Sequence, residues 1–456
     1  MRLYTFRLVI ISSLFQLSLA THSSAREIIK QETNPLQKTF ELSLKNLFQN
    51  LNHSQIKKGA VIASPSQVAP NYFFHWTRDA GLTHHALFKV YAQTKDPSLK
   101  KKIKQKAFDW IEFETEAQKN AENAVASLGE PRFHLEDAKV NTDPWGRPQN
   151  DGPAARAISL SLWALSLLDE QERSFVEEKI YRAEFPSNTL LKKDLEYVSK
   201  HWKEPCFDLW EEVKGLHFFT LALQRRALLL GSKVATKMND PQAADWYRNQ
   251  ALEIKKVLIS FISPLNNFVG ATLAQTEGWS HKKSNLDIAV IIASNHAFFG
   301  STFFESYFIE EDEIIKDYEK EFIGTLESLE QKFIELYPLN KEKSELAPAL
   351  GRYPEDVYDG NGFSGGNPWF ISTHAAAEFY CEYSKKLKKS NAPLSMQEEF
   401  HAKGLKYLER SPRHINQENG EMSEQFSRFN GYLIGASHLT WSYASFISAY
   451  LSCAEK

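Results

Sequence analysis

Apolar positions along this chain recur at steps of three and four over most of its length, the period of one helix face. From Pro35 onward, Leu36, Phe40, Leu44, Leu47 and Leu51 keep that step with mostly polar residues between them. The same pattern predicts further helices at roughly 78–93, 98–118, 154–169, 189–202, 215–235, 241–261, 286–299, 311–337, 368–388, 396–411 and 436–452. Start and stop signals support several of them: Asp96-Pro97, Asp151-Gly152-Pro153, Asp240-Pro241 and Asn367-Pro368. No long alternating run of β-branched residues appears, so the pattern predicts a nearly all-α chain of about twelve helices, or six hairpins.

Ala154–Leu168 and Leu286–Phe299 are apolar on more than one face, which suits helices covered on all sides. The stretches 98–118 and 311–337 instead carry charge on one face. Inner and outer helices in one chain are what a double ring requires. With the helices numbered from one to twelve, even-to-odd connections such as 94–97, 236–240 and 389–395 are short. The odd-to-even connections, 52–77, 119–153, 203–214, 262–285, 338–367 and 412–435, are long, aromatic and polar. In an up–down ring every odd-to-even loop lies at the same end, so the unusual residues converge on one mouth.

A formal net charge of -3 over 456 residues gives no sign of the basic face that a nucleic-acid or membrane-surface binder needs. The N-terminus reads as a secretory signal: Arg2 and Arg7, an apolar stretch Leu8–Leu19, then small residues at Ser18, Ala20, Ser23 and Ala25. Cleavage is expected after Ala20 or Ala25, leaving residues 26–456 as one catalytic domain. No later apolar run reaches membrane length, so a soluble, secreted protein is expected, and a monomer. Cys206, Cys381 and Cys453 allow one disulfide at most and have no metal-ligand spacing, and there is no His-Glu-x-x-His helix; neither metal nor cofactor is expected. No low-complexity linker or fixed-period repeat is seen.

Five segments in the long loops carry candidate chemistry. In Pro70–Asp79, Arg78 beside Asp79 forms a donor–acceptor pair able to fork two neighbouring sugar hydroxyls, or an ordinary ion pair at a helix start. In Asn141–Pro153, Trp145 and Arg147 sit in a rigid Pro/Gly loop suited to stacking and hydrogen bonding, or to self-satisfied loop structure. In Phe207–Val213, Glu211 and Glu212 adjoin Trp210. Adjacent carboxylates repel and a tryptophan desolvates, so one of them is expected to hold its proton and act as an acid; the plain alternative is an acidic first turn of a helix. The fourth segment, Gly351–Trp369, has another arginine–aromatic pair, though taken alone it reads as a turn-rich connection. The fifth, Gly420–Tyr443, offers Glu421 or Glu424 as a second carboxylate at the same mouth, and the residues alone do not choose between them.

In order and together, Ala63–Asp79, Trp145–Pro153, Phe207–Thr220, Gly351–Trp369 and Ser423–Ser445 resemble the motifs of the glucoamylases (glucan 1,4-alpha-glucosidases) of glycoside hydrolase family fifteen. The resemblance covers most of the chain beyond the leader. It implies an (α/α)6 double barrel and inverting release of β-D-glucose from non-reducing ends of α-1,4-glucans: starch, glycogen and maltodextrins. It implies Glu211 as general acid and Glu424, rather than Glu421, as general base. Arg78 and Asp79 would hold the terminal glucose, and Glu212 and Arg352 would also bind sugar. Tyr72, Trp76, Trp145, Trp210 and Trp441 would line the pocket, with Arg147 nearby. No starch-binding module is expected, and one glycosylation sequon is present, Asn52-His53-Ser54. The rivals are a related (α/α)6 α-glycosidase preferring isomaltose or trehalose, and, more remotely, an inactive α-glucan-binding protein.

Overall fold

The structure, a computed structural model, describes residues 34–186, 188–262, 267–299, 317–341 and 345–454. The expected signal segment lies outside them. Among the described residues the ring is built from α1 (Pro35–Asn50), α2 (Thr77–Gln93), α3 (Pro97–Ala121), α4 (Asp151–Asp169), α5 (Leu190–His201) and α6 (Phe218–Lys237). It continues with α7 (Pro241–Ile259), α8 (Ala289–Ser294, prolonged by a π turn Asn295–Phe299), α9 (Glu319–Leu336), α10 (Phe370–Lys389), α11 (Leu394–Leu408) and α12 (Thr440–Ala454). Each even helix packs on the next even helix, and α12 returns to α2, so six inner helices close a ring. Each odd helix lies against an inner one, α1 on α12 and α7 on α6 for example. This is the (α/α)6 double barrel.

The two rings differ as the sequence periods require. Inner α4 is buried from Asp151 to Leu167, whereas outer α7 buries only Ala244, Tyr247, Ala251, Ile254 and Leu258, one stripe at helical spacing. Three outer helices, α1, α3 and α7, begin with solvent-side caps: Asn34, Asp96 and Asp240 each accept a backbone N–H, and a proline follows. Inner helices begin at the mouth. Six positive helix ends therefore face the same region, which favours carboxylates there; Asp79 and Asp151 sit in the first turns of α2 and α4. Cys381 on α10 and Cys453 on α12 form a disulfide between neighbouring inner helices. Cys206 is a buried free thiol whose titration burial pushes up to about 12.

Short antiparallel strands brace the mouth loops. β1 (His75–Trp76) pairs with β2 (Arg132–Phe133), β3 (Cys206–Phe207) with β4 (Val213–His217), β4 with β5 (Thr272–Gly278), and β6 (Gln425–Phe426) with β7 (Leu433–Ile434). Here the structure departs from the helix expected at 215–235. Val213–His217 alternates buried and half-buried residues and pairs on both sides, so the helix starts at Phe218. Beneath β1, Val61 donates its N–H to His75 Nδ1 (3.0 Å), which leaves Nε2 to donate to Glu114 (3.1 Å). Arg156 on α4 ties that same Glu114 (2.8 Å) to Asp194 on α5 (2.6 and 2.7 Å). This buried network fixes the strand that carries Trp76.

Candidate active site

The mouth loops enclose a cavity of about 220 Å³. Tyr72, Trp76, Arg78, Asp79, Trp145, Trp210, Glu211, Glu212, Arg352, Glu424 and Trp441 all line it. Arg147 does not. Its Nε donates to Glu130 (2.8 Å), Nη1 to the Asp143 carbonyl (3.2 Å) and Nη2 to the Asn141 carbonyl (3.0 Å). Arg147 thus stands off the cavity wall, with three of its donors bracing Glu130 and the 141–143 backbone.

Glu211 sits in the β3–β4 turn. Its backbone φ is +66°, a region that non-glycine residues seldom occupy. Asp208 holds that conformation: its carbonyl accepts the Glu211 N–H (2.9 Å), and its Oδ1 accepts those of Glu212 (2.8 Å) and Val213 (3.0 Å). The twist sends the two glutamates to different partners. Glu211 accepts from Arg78 Nη2 (2.8 Å), from the Trp76 indole (2.9 Å) and from the Trp145 indole. Glu212 pairs with Arg352 (2.7 Å), the Tyr353 hydroxyl (2.7 Å) and Lys282 (3.3 Å). The adjacent carboxylates are thus shared out between two arginines. Trp210, expected to shield Glu211, turns its indole N–H to Asp287 (2.9 and 3.1 Å). Trp76 and Trp145 are the indoles on Glu211.

Arg78 spends Nη1 on Gln149 (3.0 Å) and Asp151 (3.1 Å). Its Nε lies 3.5 Å from Asp79 Oδ2, and neither atom has a hydrogen-bond partner, although both are buried. Burial pushes Asp79 up to about 6, against the pull of Arg78.

Glu424 is fully buried just before β6, its N–H on the Ala436 carbonyl (2.8 Å). Burial raises its carboxyl to about 7, while the charge of Arg352 and the hydroxyls of Tyr72 and Tyr358 pull it back. Those two hydroxyls are 3.3 Å apart. Glu421 does not line the cavity; its carboxylate lies 3.7 Å from His438. Gly435, at φ +74°, leaves room for the Glu424 side chain: a Cβ there would stand 2.6 Å from Glu424 Oε2. Gly435→Ala is expected to displace Glu424 and lower kcat/KM by about 100-fold, with Tm reduced by only a few degrees; steady-state kinetics and calorimetry check both.

Sequence reasoning missed several residues. Tyr358 and Trp369 line the cavity but lay in a segment that read as a plain turn. Trp279, also a lining residue, lies in the 262–285 connection, and its aromaticity in an odd-to-even loop was the available signal. Lys282 gave no signal. Its ammonium gathers Asp208 (2.7 Å) and Glu212 (3.3 Å) from the β3–β4 turn and Asp287 (3.6 Å) from the start of α8. Burial would raise Asp208, but Lys282 and His217 outweigh it and hold it at about 2, while burial lifts Asp287 to about 6. Lys282→Met leaves buried carboxylates facing one another and is expected to cost about 3–5 kcal/mol. The sign with pH follows from Asp287. A carboxyl raised in the fold stabilises below its unfolded value and loses that contribution as pH rises through about 6. Without Lys282 it rises further, so the Tm deficit of the variant should be larger at pH 7 than at pH 4.

Among the described residues no group of His, Cys, Asp and Glu side chains is arranged to hold a metal ion, and no helix is long and apolar enough to cross a membrane.

The family model described as "Glycosyl hydrolases family 15" matches residues 41–451. Glucoamylase 1 of Rhizopus oryzae is 34% identical over 434 residues, spanning 88% of this chain and 68% of its own. The probable glucoamylase of Schizosaccharomyces pombe is 29% identical over 94% of this chain and 93% of its own. Among solved structures, the glucoamylase from Saccharomycopsis fibuligera superposes with a TM-score of 0.80 at 26% identity, covering 92% of this chain and 95% of that one.

Proposed function

The chain belongs to glycosyl hydrolase family 15, and on that premise we propose that this glycoside hydrolase is a glucoamylase, releasing β-D-glucose by inversion from non-reducing ends of starch, glycogen and maltodextrins. The observation that carries this reading is the convergence of Glu211, Glu424 and the adjacent Arg78 and Asp79 on the wall of one cavity. Arg78 and Asp79, a donor and an acceptor side by side, would bond two adjacent hydroxyls of a terminal glucose. Inner-helix side chains fill the barrel below, which suits a substrate entering by its end.

In this reading Glu211 delivers a proton to the glycosidic oxygen. Glu424 draws a proton from a water that attacks the anomeric carbon from the opposite face. One displacement inverts the configuration and requires the carboxyls to be roughly 6.5–9.5 Å apart. Trp76 and Trp145 orient the acid through their indole donors. Arg352 and Glu212 hold sugar hydroxyls, and the faces of Tyr72, Trp210 and Trp441 meet the apolar face of the ring. Secretion fits the N-terminal leader pattern and the Cys381–Cys453 disulfide, a bond of oxidising compartments.

Initial rates on maltose, isomaltose, trehalose and soluble starch test the substrate class. Maltose and soluble starch should be favoured; preference for trehalose or isomaltose would overturn it. The base has its own signature. Glu424 must be ionised, so the acid limb of kcat/KM should lie above the ordinary carboxylate range. Tyr72→Phe removes a hydroxyl that lowers Glu424, so the limb should move to still higher pH. A limb that stays in place or moves down would detach it from Glu424.

A further inference from the structure

Trp279 stands at the edge of the cavity, and the β-sheet explains why. Val213, directly after Glu212, pairs with Gly278, and the Trp279 N–H donates to the Glu212 carbonyl (3.3 Å). The strand that follows the two glutamates therefore sets this indole beside them. Phe363 meets Trp279 edge to face, with centroids 5.3 Å apart, yet it is 67% exposed and does not line the cavity. An exposed phenylalanine on a loose loop would need no explanation. Phe363 is on a loop that is tied down. Asp359 accepts N–H bonds from Asn361 (3.1 Å), Gly362 (2.5 Å) and Ser364 (3.2 Å). Arg428, on the turn between β6 and β7, donates to the carbonyls of Ser364 and Gly366, both at 3.3 Å. The loop holds an apolar ring in solvent, next to a second ring that reaches into the site. An aromatic ring held in solvent and continuous with a cavity-lining ring extends the apolar wall of the site outward.

We propose that Trp279 and Phe363 form a sugar-stacking platform outside the pocket, which holds the glucosyl residues of an α-glucan that follow the terminal one. This rests on the functional reading above. The chain leaving the pocket must pass the rim where the glutamate turn and β5 meet. There Trp279 meets it first and Phe363 one ring further out. Their faces would pack against the C–H faces of successive sugars, so the contribution grows with chain length. The platform would make this enzyme prefer longer dextrins through KM.

The test is kcat/KM along a series from maltose to maltoheptaose for the native protein and its variants. Phe363→Ala should lower the maltoheptaose-to-maltose ratio by up to about tenfold, carried by KM. Phe363→Tyr, which keeps an aromatic face, should restore the ratio. Phe185→Ala, a control at a residue 82% exposed on the 170–189 connection at the other end of the barrel, should leave it unchanged. An equal loss at every chain length, or no loss, would overturn the platform while leaving glucoamylase activity intact. Should the native protein release no glucose from any of these, the functional reading fails instead. The platform is then judged by calorimetric titration of maltoheptaose, where Phe363→Ala should bind up to about tenfold more weakly and equal binding would refute it.

Discussion

Glu211→Gln is expected to lower kcat on maltose by about 100- to 10,000-fold while the folded protein still binds maltose-like ligands. The expectation comes from what the amide can and cannot replace. A glutamine oxygen can still accept from Trp76 and Arg78, so the β3–β4 turn and the pocket wall stay in place. Its amide nitrogen has no proton acidic enough to give to a leaving oxygen, and it cannot accept from the Trp145 indole. The role can be separated from simple damage by changing the leaving group. Fluoride leaves α-glucosyl fluoride as an anion without needing a proton from Glu211, so the deficit should shrink strongly on that substrate. Near-normal kcat on maltose, or an equal deficit on both substrates, would remove Glu211 from the acid's place.

Glu424→Gln should cost kcat a similar factor but with the opposite leaving-group behaviour. The attacking water needs a base whatever departs, so the loss should persist with α-glucosyl fluoride. Burial argues that the site can tolerate the change: the carboxyl is already raised to about 7, and a neutral amide relieves the desolvation cost. Substrate binding should remain. If Glu421→Gln instead abolished turnover and Glu424→Gln did not, the base would have to be sought outside the cavity wall, because Glu421 lies beside His438 and not on that wall.

The double ring was legible because two periods run through the chain. The inner helices are apolar nearly all round, as in α4, and the outer ones carry a single stripe, as in α7. Loop parity then brought Arg78, Trp145, Glu211, Arg352 and Glu424 to one mouth without any contact information. The bracing strands were not legible, since two-residue pairs such as His75–Trp76 with Arg132–Phe133 are too short to show an alternating pattern. Arg147 illustrates a different limit. Composition shows an arginine in a Pro/Gly loop but cannot say whether its donors face a ligand or the loop's own carbonyls. Lys282 is harder still: it meets Asp208 and Glu212 only when the 282–287 stretch folds against the β3–β4 turn. Cysteine count limited the disulfides to one, and helix packing chose Cys381 and Cys453. At the acid, the adjacency of Glu211 and Glu212 in sequence suggested mutual repulsion, whereas the positive φ at Glu211 sends them to separate arginines.

The most direct test of the account is the anomeric form of the first glucose released, followed by proton NMR or polarimetry during early hydrolysis of maltotriose. Single displacement between Glu211 and Glu424 predicts β-glucose first, relaxing later by mutarotation. α-Glucose as the initial product would contradict the assignment of these two carboxylates as an inverting acid and base.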